Sequence, residues 1–344
     1  MTTSHKDTTT GHTTDAPAPS GPAHPAPPDR TSPASRVRGF GRPTPRFVYR
    51  WALALLVANI GIIITGGAVR LTQSGLGCPT WPECTAGSVV PHPALGIHGA
   101  IEFGNRMLTW VMVIVVIATW VAVWRYPASG RRNRALVVLL ALGIPFQGVV
   151  GGITVLTHLN PWVVALHFLL SMALVAGATV LVFRTSPTPR ATANEAATRL
   201  GRAIAWLIFA FTWASIYVGT VVTGSGPHAG DADAPRNGLR PDQMTQLHAD
   251  FVFVLIGLAL AAALITTVMR LPQARATHGF AGLLALQAVI GLVQYVTDLP
   301  IVLVMVHMLG SALLMVGATW LVLWFRPAVG SDTAAPADTA VTSV

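Results

Sequence analysis

The sequence predicts an all-α integral membrane protein, with eight transmembrane helices arranged as two pseudo-symmetric four-helix bundles. Three observations lead there. The 344 residues are 52% hydrophobic and 10% charged, with a mean hydropathy of +0.59, well outside the soluble globular range. Eight apolar runs each approach the roughly 20 residues that cross a bilayer as a helix. A spacing pattern in the first half of the chain returns at an offset of 140 in the second, which pairs four helices with four.

Taken in order, residues 1–46 are rich in Thr, Pro, Ala and His without apolar periodicity, and read as a disordered cytoplasmic tail. His5, His12 and His24 lie in it as nominal metal donors, but a tail of this composition is ordinarily just solvated. The first long apolar run starts only near Phe47, so no cleavable leader is expected. Helices are expected at about 48–69, 95–124, 135–156, 161–183, 203–223, 243–269, 279–297 and 301–325. Residues 47–184 then form the N-terminal half and 203–326 the C-terminal half, with a cytoplasmic linker over 185–202 and a second disordered tail over 327–344.

The formal net charge of +9 does not imply a nucleic-acid partner, because the arginines sit between apolar runs instead of clustering on a soluble face. They set orientation. The N-terminal flank, the second-to-third, fourth-to-fifth and sixth-to-seventh loops and Arg326 are arginine-rich, whereas the opposite loops carry Arg70, Arg236 and Arg240. The positive-inside rule places both termini in the cytoplasm and the chain in the cell membrane, surrounded by lipid. Cys78 and Cys84, in CPTWPEC, then lie on the oxidising side, where a disulfide is expected. It serves either as a loop staple or as a redox pair. Closing so short a loop contributes only modestly to stability.

The stretch HGAIEFGNR, His98 to Arg106, puts ionisable side chains into an apolar run, where they are costly and usually functional. At 100° per residue His98, Glu102 and Asn105 share one face, with Arg106 at its edge. Glu102 has three readings: a structural partner of Arg106 at i+4, a ligand to a quinol or metal, or a proton carrier. The cost of an intramembrane carboxylate favours a catalytic or substrate-positioning role.

The repeat relates the third and fourth helices to the seventh and eighth. Gln147 precedes Gly151 by 4 and His167 by 20, and Gln287 precedes Gly291 by 4 and His307 by 20. Serines follow each histidine at Ser171 and Ser311, and the first and fifth helices end alike in TQSG and TGSG. His248 and His307 each lie seven residues after a proline, Pro241 and Pro300, which is about 10 Å of helix. Equal depth on alternate helices suits two axial haem ligands within a four-helix bundle; the other reading is a pair of polar residues bonding between helices. In the first half His167 matches His307, and its partner is either His98, seven residues after Pro91, or nothing. Asn105 is a poor iron ligand, and His92 and His158 fall in outer loops as solvated residues.

These residues resemble the haem A synthase family, in an actinobacterial-type variant, across all eight helices. The resemblance is carried by TGGAVRLTQSGLGCPTWPEC (Thr65–Cys84), EFGNR (Glu102–Arg106), VVALHF (Val163–Phe168), His248 and His307. It implies an oxidoreductase acting on a CH group, converting the C8 methyl of haem O to a formyl group through a hydroxylated intermediate and giving haem A for cytochrome c oxidase. It further implies a haem b cofactor held by His248 and His307, a substrate haem O site with Glu102 and His167, and a Cys78–Cys84 disulfide. Haem O synthase (the farnesyltransferase), oxidase assembly factors and an electron donor are the partners it suggests. Two departures stand out: Asn105 occupies the place of the histidine in the family's Glu-x-x-His-Arg pattern, and the outer loop after Thr223 holds no second cysteine pair. Held by His167 alone, substrate iron keeps an open coordination position, with Arg106 pairing Glu102 or binding a propionate. Two other classes fit less of the sequence: a di-haem b-type quinol or electron-transfer cytochrome, which needs neither the glutamate motif nor the cysteine loop, and a two-half transporter.

Overall fold

A computed structural model describes residues 43–187 and 195–326; nearly all of the two tails, with His5, His12 and His24, and residues 188–194 of the linker lie outside the described residues. The described residues form eight long α-helices: α1 (Pro45–Leu71), α2 (Gly96–Arg125), α3 (Arg131–Leu156), α4 (Pro161–Thr185), α5 (Glu195–Ser225), α6 (Pro241–Val268), α7 (Ala274–Val296) and α8 (Ile301–Trp324). All eight are long and apolar enough to cross a membrane. Most extend a few residues beyond the expected runs, because polar first and last turns continue the helix past the apolar stretch.

Prolines start several of these helices, where a missing N–H costs nothing and φ is already helical. Pro45 follows Thr44, whose hydroxyl accepts from Phe47 N–H at 3.2 Å, and Pro161 follows Asn160, whose side chain accepts from Trp162 N–H at 3.0 Å. Inside the spans, threonines satisfy their hydroxyls on the carbonyl one turn back, as at Thr119, Thr179, Thr212 and Thr319. Thr119 also reaches the Trp51 carbonyl on α1 at 3.1 Å, a bond between helices.

α1 to α4 touch in a closed ring, as do α5 to α8, so α2 and α4 sit at opposite corners of one ring and α6 and α8 at opposite corners of the other. The rings meet where α4 and α8 pack together, each also touching the other ring's first helix. There Phe183 and Trp320 stack edge to face with centroids 4.9 Å apart. One apolar core fills the first ring around Leu55, Val123, Met172 and Leu181, and a second lies among Ile208, Leu255, Phe280 and Leu321. The outward faces carry Ile114, Leu142, Phe253, Leu264 and Val302, all more than half exposed, as a lipid-facing surface requires.

The 140-residue offset extends to the backbone. After α3, His158 and Leu159 take positive φ values of 50° and 59°; after α7, Asp298 and Leu299 take 58° and 58°. In both turns a threonine hydroxyl closes the helix, Thr157 on Ile153 O and Thr297 on Val293 O, and the second left-handed residue donates five residues back, Leu159 to Thr154 and Leu299 to Gln294. Two consecutive left-handed residues reverse the chain fast enough to start the next helix directly.

Candidate functional site

The polar residues of α2 are held by the loop that precedes it. Cys78 and Cys84 are joined by a disulfide and fully buried. Glu102 is 5% exposed; one carboxylate oxygen accepts the Cys78 N–H at 2.7 Å, and the other accepts Arg106 Nη2 at 2.6 Å. Arg106 in turn donates to the carbonyls of Cys78, Thr80 and Glu83 at 3.1, 2.9 and 3.2 Å. The i+4 pairing of Glu102 and Arg106 is therefore present, and it clamps the disulfide loop onto α2. Trp81, in the middle of the loop, packs against Gly152 of α3, where a Cβ would run into the indole.

His98 departs from the expectation based on counting from Pro91. α2 starts only at Gly96, after a 3-10 turn over Pro93–Leu95 and a backbone φ of +57° at Gly96. His98 is thus two residues into its helix, exposed, with its Nδ1 2.9 Å from the Ser74 hydroxyl. His248 is seven residues past Pro241, so the two do not share a depth. Asn105, nine residues past Gly96, lies much closer to the matching level.

Glycines mark that level. His248 of α6 packs its Cε1 3.2 Å from the place of a Cβ on Gly219 of α5; His307 of α8 does so at 3.3 Å on Gly291 of α7; His167 of α4 does so at 3.2 Å on Gly151 of α3. The fourth member is Asn105 of α2, whose Nδ2 lies 3.9 Å from the Cβ position of Gly66 on α1. Each even-numbered helix thus rests one inward polar side chain on a glycine of the helix before it. Asn105 also accepts a 2.7 Å hydrogen bond from the Thr65 hydroxyl.

In the second ring His248 and His307 face one another with ring centroids 6.5 Å apart. Two metal–imidazole bonds of about 2 Å, with about 1 Å from each nitrogen to its ring centre, sum to about 6 Å. His248 Nδ1 is 2.9 Å from the Ser215 carbonyl, which can only accept, so Nδ1 carries the proton and Nε2 keeps its lone pair. His307 Nδ1 is buried without a partner among the described residues, and so is His167 Nδ1. Among the described residues no cluster of three or more His, Cys, Asp or Glu could hold a bare metal ion. Two opposed imidazoles with no third protein ligand fit an iron whose remaining ligands come from a macrocycle, and a haem therefore suits this donor set.

The sequence matches the COX15-CtaA family, described as cytochrome oxidase assembly protein, over residues 49–319. The chain belongs to this family. A heme A synthase of Halalkalibacterium halodurans is 30% identical over 267 residues, spanning 72% of this chain and 85% of that one. A heme A synthase of Listeria monocytogenes is 26% identical over 181 residues, 52% of this chain and 59% of its own length. One from Lysinibacillus sphaericus is 32% identical over 142 residues, 40% and 46% of the two chains.

Set within this family, the polar centre draws on residues that sequence spacing leaves unremarked. Arg70, counted only as an outer-loop charge, donates from α1 to the carbonyls of His228 and Thr223 at 2.6 and 2.9 Å, tying the first ring to the end of α5 and the loop that follows it. Gly75 N–H adds a bond to the Gly230 carbonyl at 2.8 Å. The cradle glycines carried a partial signal, since Gly151 and Gly291 stand at the same distance before His167 and His307; Gly66 and Gly219 carried none.

Proposed function

We propose that this protein is a haem A synthase, an oxidoreductase that takes haem O as substrate and oxidises its C8 methyl to a formyl group for cytochrome c oxidase. The observation that carries the reading is the opposed pair His248 and His307, 6.5 Å apart with the His248 tautomer fixed, in a chain whose relatives are named heme A synthase. On this reading haem b is resident in the second half on His248 and His307, and haem O binds in the first half on His167. The disulfide end faces outward and both termini are cytoplasmic in the cell membrane, in keeping with the arginine distribution. Haem O synthase and oxidase assembly factors are the fitting partners.

The resident haem supplies one-electron chemistry when bound. The chain does the rest. Glu102 and Arg106 fix the disulfide loop over the outer end of the first half, and the loop with Trp81 keeps water from that end. The Glu102 carboxylate has spare lone pairs beyond its bonds to Cys78 N–H and Arg106, so it also holds or passes a proton. Gly151, which lacks the Cβ that would crowd the imidazole, leaves room for His167 at its level, and His98 stands at the rim beside Ser74.

The test is expression beside a haem O source, followed by absorbance of the purified protein and haem extraction. Haem A in the extract, abolished by Glu102→Gln with the second-half haem retained, supports the reading. A low-spin dihaem protein that leaves haem O unchanged would mark it instead as an electron carrier.

A further inference from the structure

The four glycine-cradled positions differ at one place. Three hold histidine and the fourth holds Asn105, and beneath it again lies a glycine of the preceding helix, Gly66, though at 3.9 Å the contact is looser than the 3.2–3.3 Å of the histidines. α2 and α4 stand at opposite corners of the first ring as α6 and α8 do in the second. Asn105 therefore stands across the ring from His167 as His248 stands across from His307. A carboxamide is a poor replacement for the imidazole as an iron ligand, because its nitrogen lone pair is delocalised into the carbonyl, its oxygen accepts from Thr65, and its reach is shorter. What it has instead is an N–H pair.

That pair is aimed. The Thr65 hydroxyl, one residue before the cradle glycine, donates to Asn105 Oδ1 at 2.7 Å. With the oxygen accepting from Thr65, whose hydroxyl also has the Ile62 carbonyl at the longer distance of 3.2 Å, the amide nitrogen is the free end, and it is the atom nearest a Cβ placed on Gly66, at 3.9 Å. Among the described residues the bond from Thr65 is the side chain's hydrogen bond, so both amide protons are unassigned within the protein. Polar donors on the open side of a haem decide how it treats a small exogenous ligand.

We infer that Asn105 is a hydrogen-bond donor to a small ligand on the open axial side of the first-half haem, with Thr65 as the residue that positions its amide. This rests on the reading of the first half as a haem site with His167 as its single protein ligand. It assigns the two halves different roles through one residue: a closed axial pair at His248 and His307, and an open side roofed by an N–H donor at Asn105.

The experiment uses the full-length protein purified with both haems, with spin state from magnetic resonance and carbon monoxide as probe, read by vibrational spectroscopy. The wild type is expected to show one low-spin haem and one high-spin haem, the latter binding carbon monoxide and lost in His167→Ala. Asn105→His should convert the high-spin haem to low spin and block carbon monoxide binding. Asn105→Ala should leave it high-spin and still able to bind, but raise the C–O stretching frequency and speed ligand loss by about 3- to 10-fold, the worth of one neutral hydrogen bond. Thr65→Val should move the frequency the same way by less. In every variant the low-spin signal of the second half reports an intact fold.

The outcomes separate. If no second haem loads, or His167→Ala leaves it in place, the first-half haem site fails and this proposal with it. Two low-spin haems in the wild type would mean that the axial side is not open, which overturns the inference. A high-spin haem whose carbon monoxide spectrum is unchanged in Asn105→Ala would leave the haem site standing and remove the donor role.

Discussion

Replacing Arg106 by alanine isolates the clamp that holds the disulfide loop. The guanidinium reaches Glu102 Oε1 and three loop carbonyls, with Nη2 alone within range of Glu102, Cys78 and Thr80. It has two protons for those three acceptors, so one bond is shared. Removing one partner of a buried ion pair costs about 3–5 kcal/mol. Here the arginine side chain is 19% exposed against 7% for the glutamate, and water offsets part of the loss, leaving about 2–3 kcal/mol. That energy falls on loop opening, not global unfolding, because the helices do not depend on the loop for their own hydrogen bonds. Hydrogen exchange at Cys78 N–H and its neighbours should therefore accelerate about 30- to 150-fold, while exchange in α6 stays unchanged. Arg106→Lys, which keeps the charge but not the fork, should fall between. Acceleration below about threefold in Arg106→Ala would show that the disulfide and Trp81 hold the loop without the guanidinium.

Three further perturbations test separate contacts. Gly152→Ala adds a helix-favouring methyl worth about 1 kcal/mol, yet it meets the Trp81 indole; the loop should loosen and tryptophan emission shift to the red, whereas unchanged emission would mean that Trp81 does not rest there. Gly291→Val pushes on His307 Cε1, 3.3 Å from the Cβ position, so low-spin haem in the second half should fall, and an unaltered low-spin spectrum would remove the cradle's role. Arg70→Met deletes two charge-assisted bonds to His228 and Thr223 carbonyls, a loss of about 3–6 kcal/mol; the apparent melting temperature should drop and amides 226–232 exchange faster, and a melting temperature equal to wild type would show the tie to be dispensable.

The helices were legible because a membrane span needs only length and apolarity, and the charged and proline-rich breaks between runs are sharp. The disulfide was legible from two isolated cysteines in the one loop between α1 and α2. The level of His248 and His307 was legible because Pro241 opens α6 and Pro300 caps α8, so counting from proline counts from the helix start. The same count misled at His98, because Pro91 precedes a 3-10 turn and Gly96 breaks the path before α2 begins. The glycine cradles and the Arg70 tie were not legible for a different reason: each joins residues on different helices, and Arg70 reaches partners more than 150 positions away. Periodicity within one segment carries no record of such pairs.

The two rings share turn geometry, glycine cradles and diagonal placement, and these depend on backbone and on small residues, not on the side chain that is cradled. That independence explains how the first ring tolerates asparagine where the second has histidine. Losing an imidazole from a packed core would ordinarily leave a cavity and an unsatisfied neighbour. Here Thr65 supplies a partner for the shorter side chain, and Glu102, one turn earlier on the same helix, is already committed to the loop above. α2 is therefore anchored from the loop side and from α1 whether or not its inward residue binds iron. The chemistry of that position is free to differ between the halves, because the scaffold around it does not depend on which of the two side chains it carries.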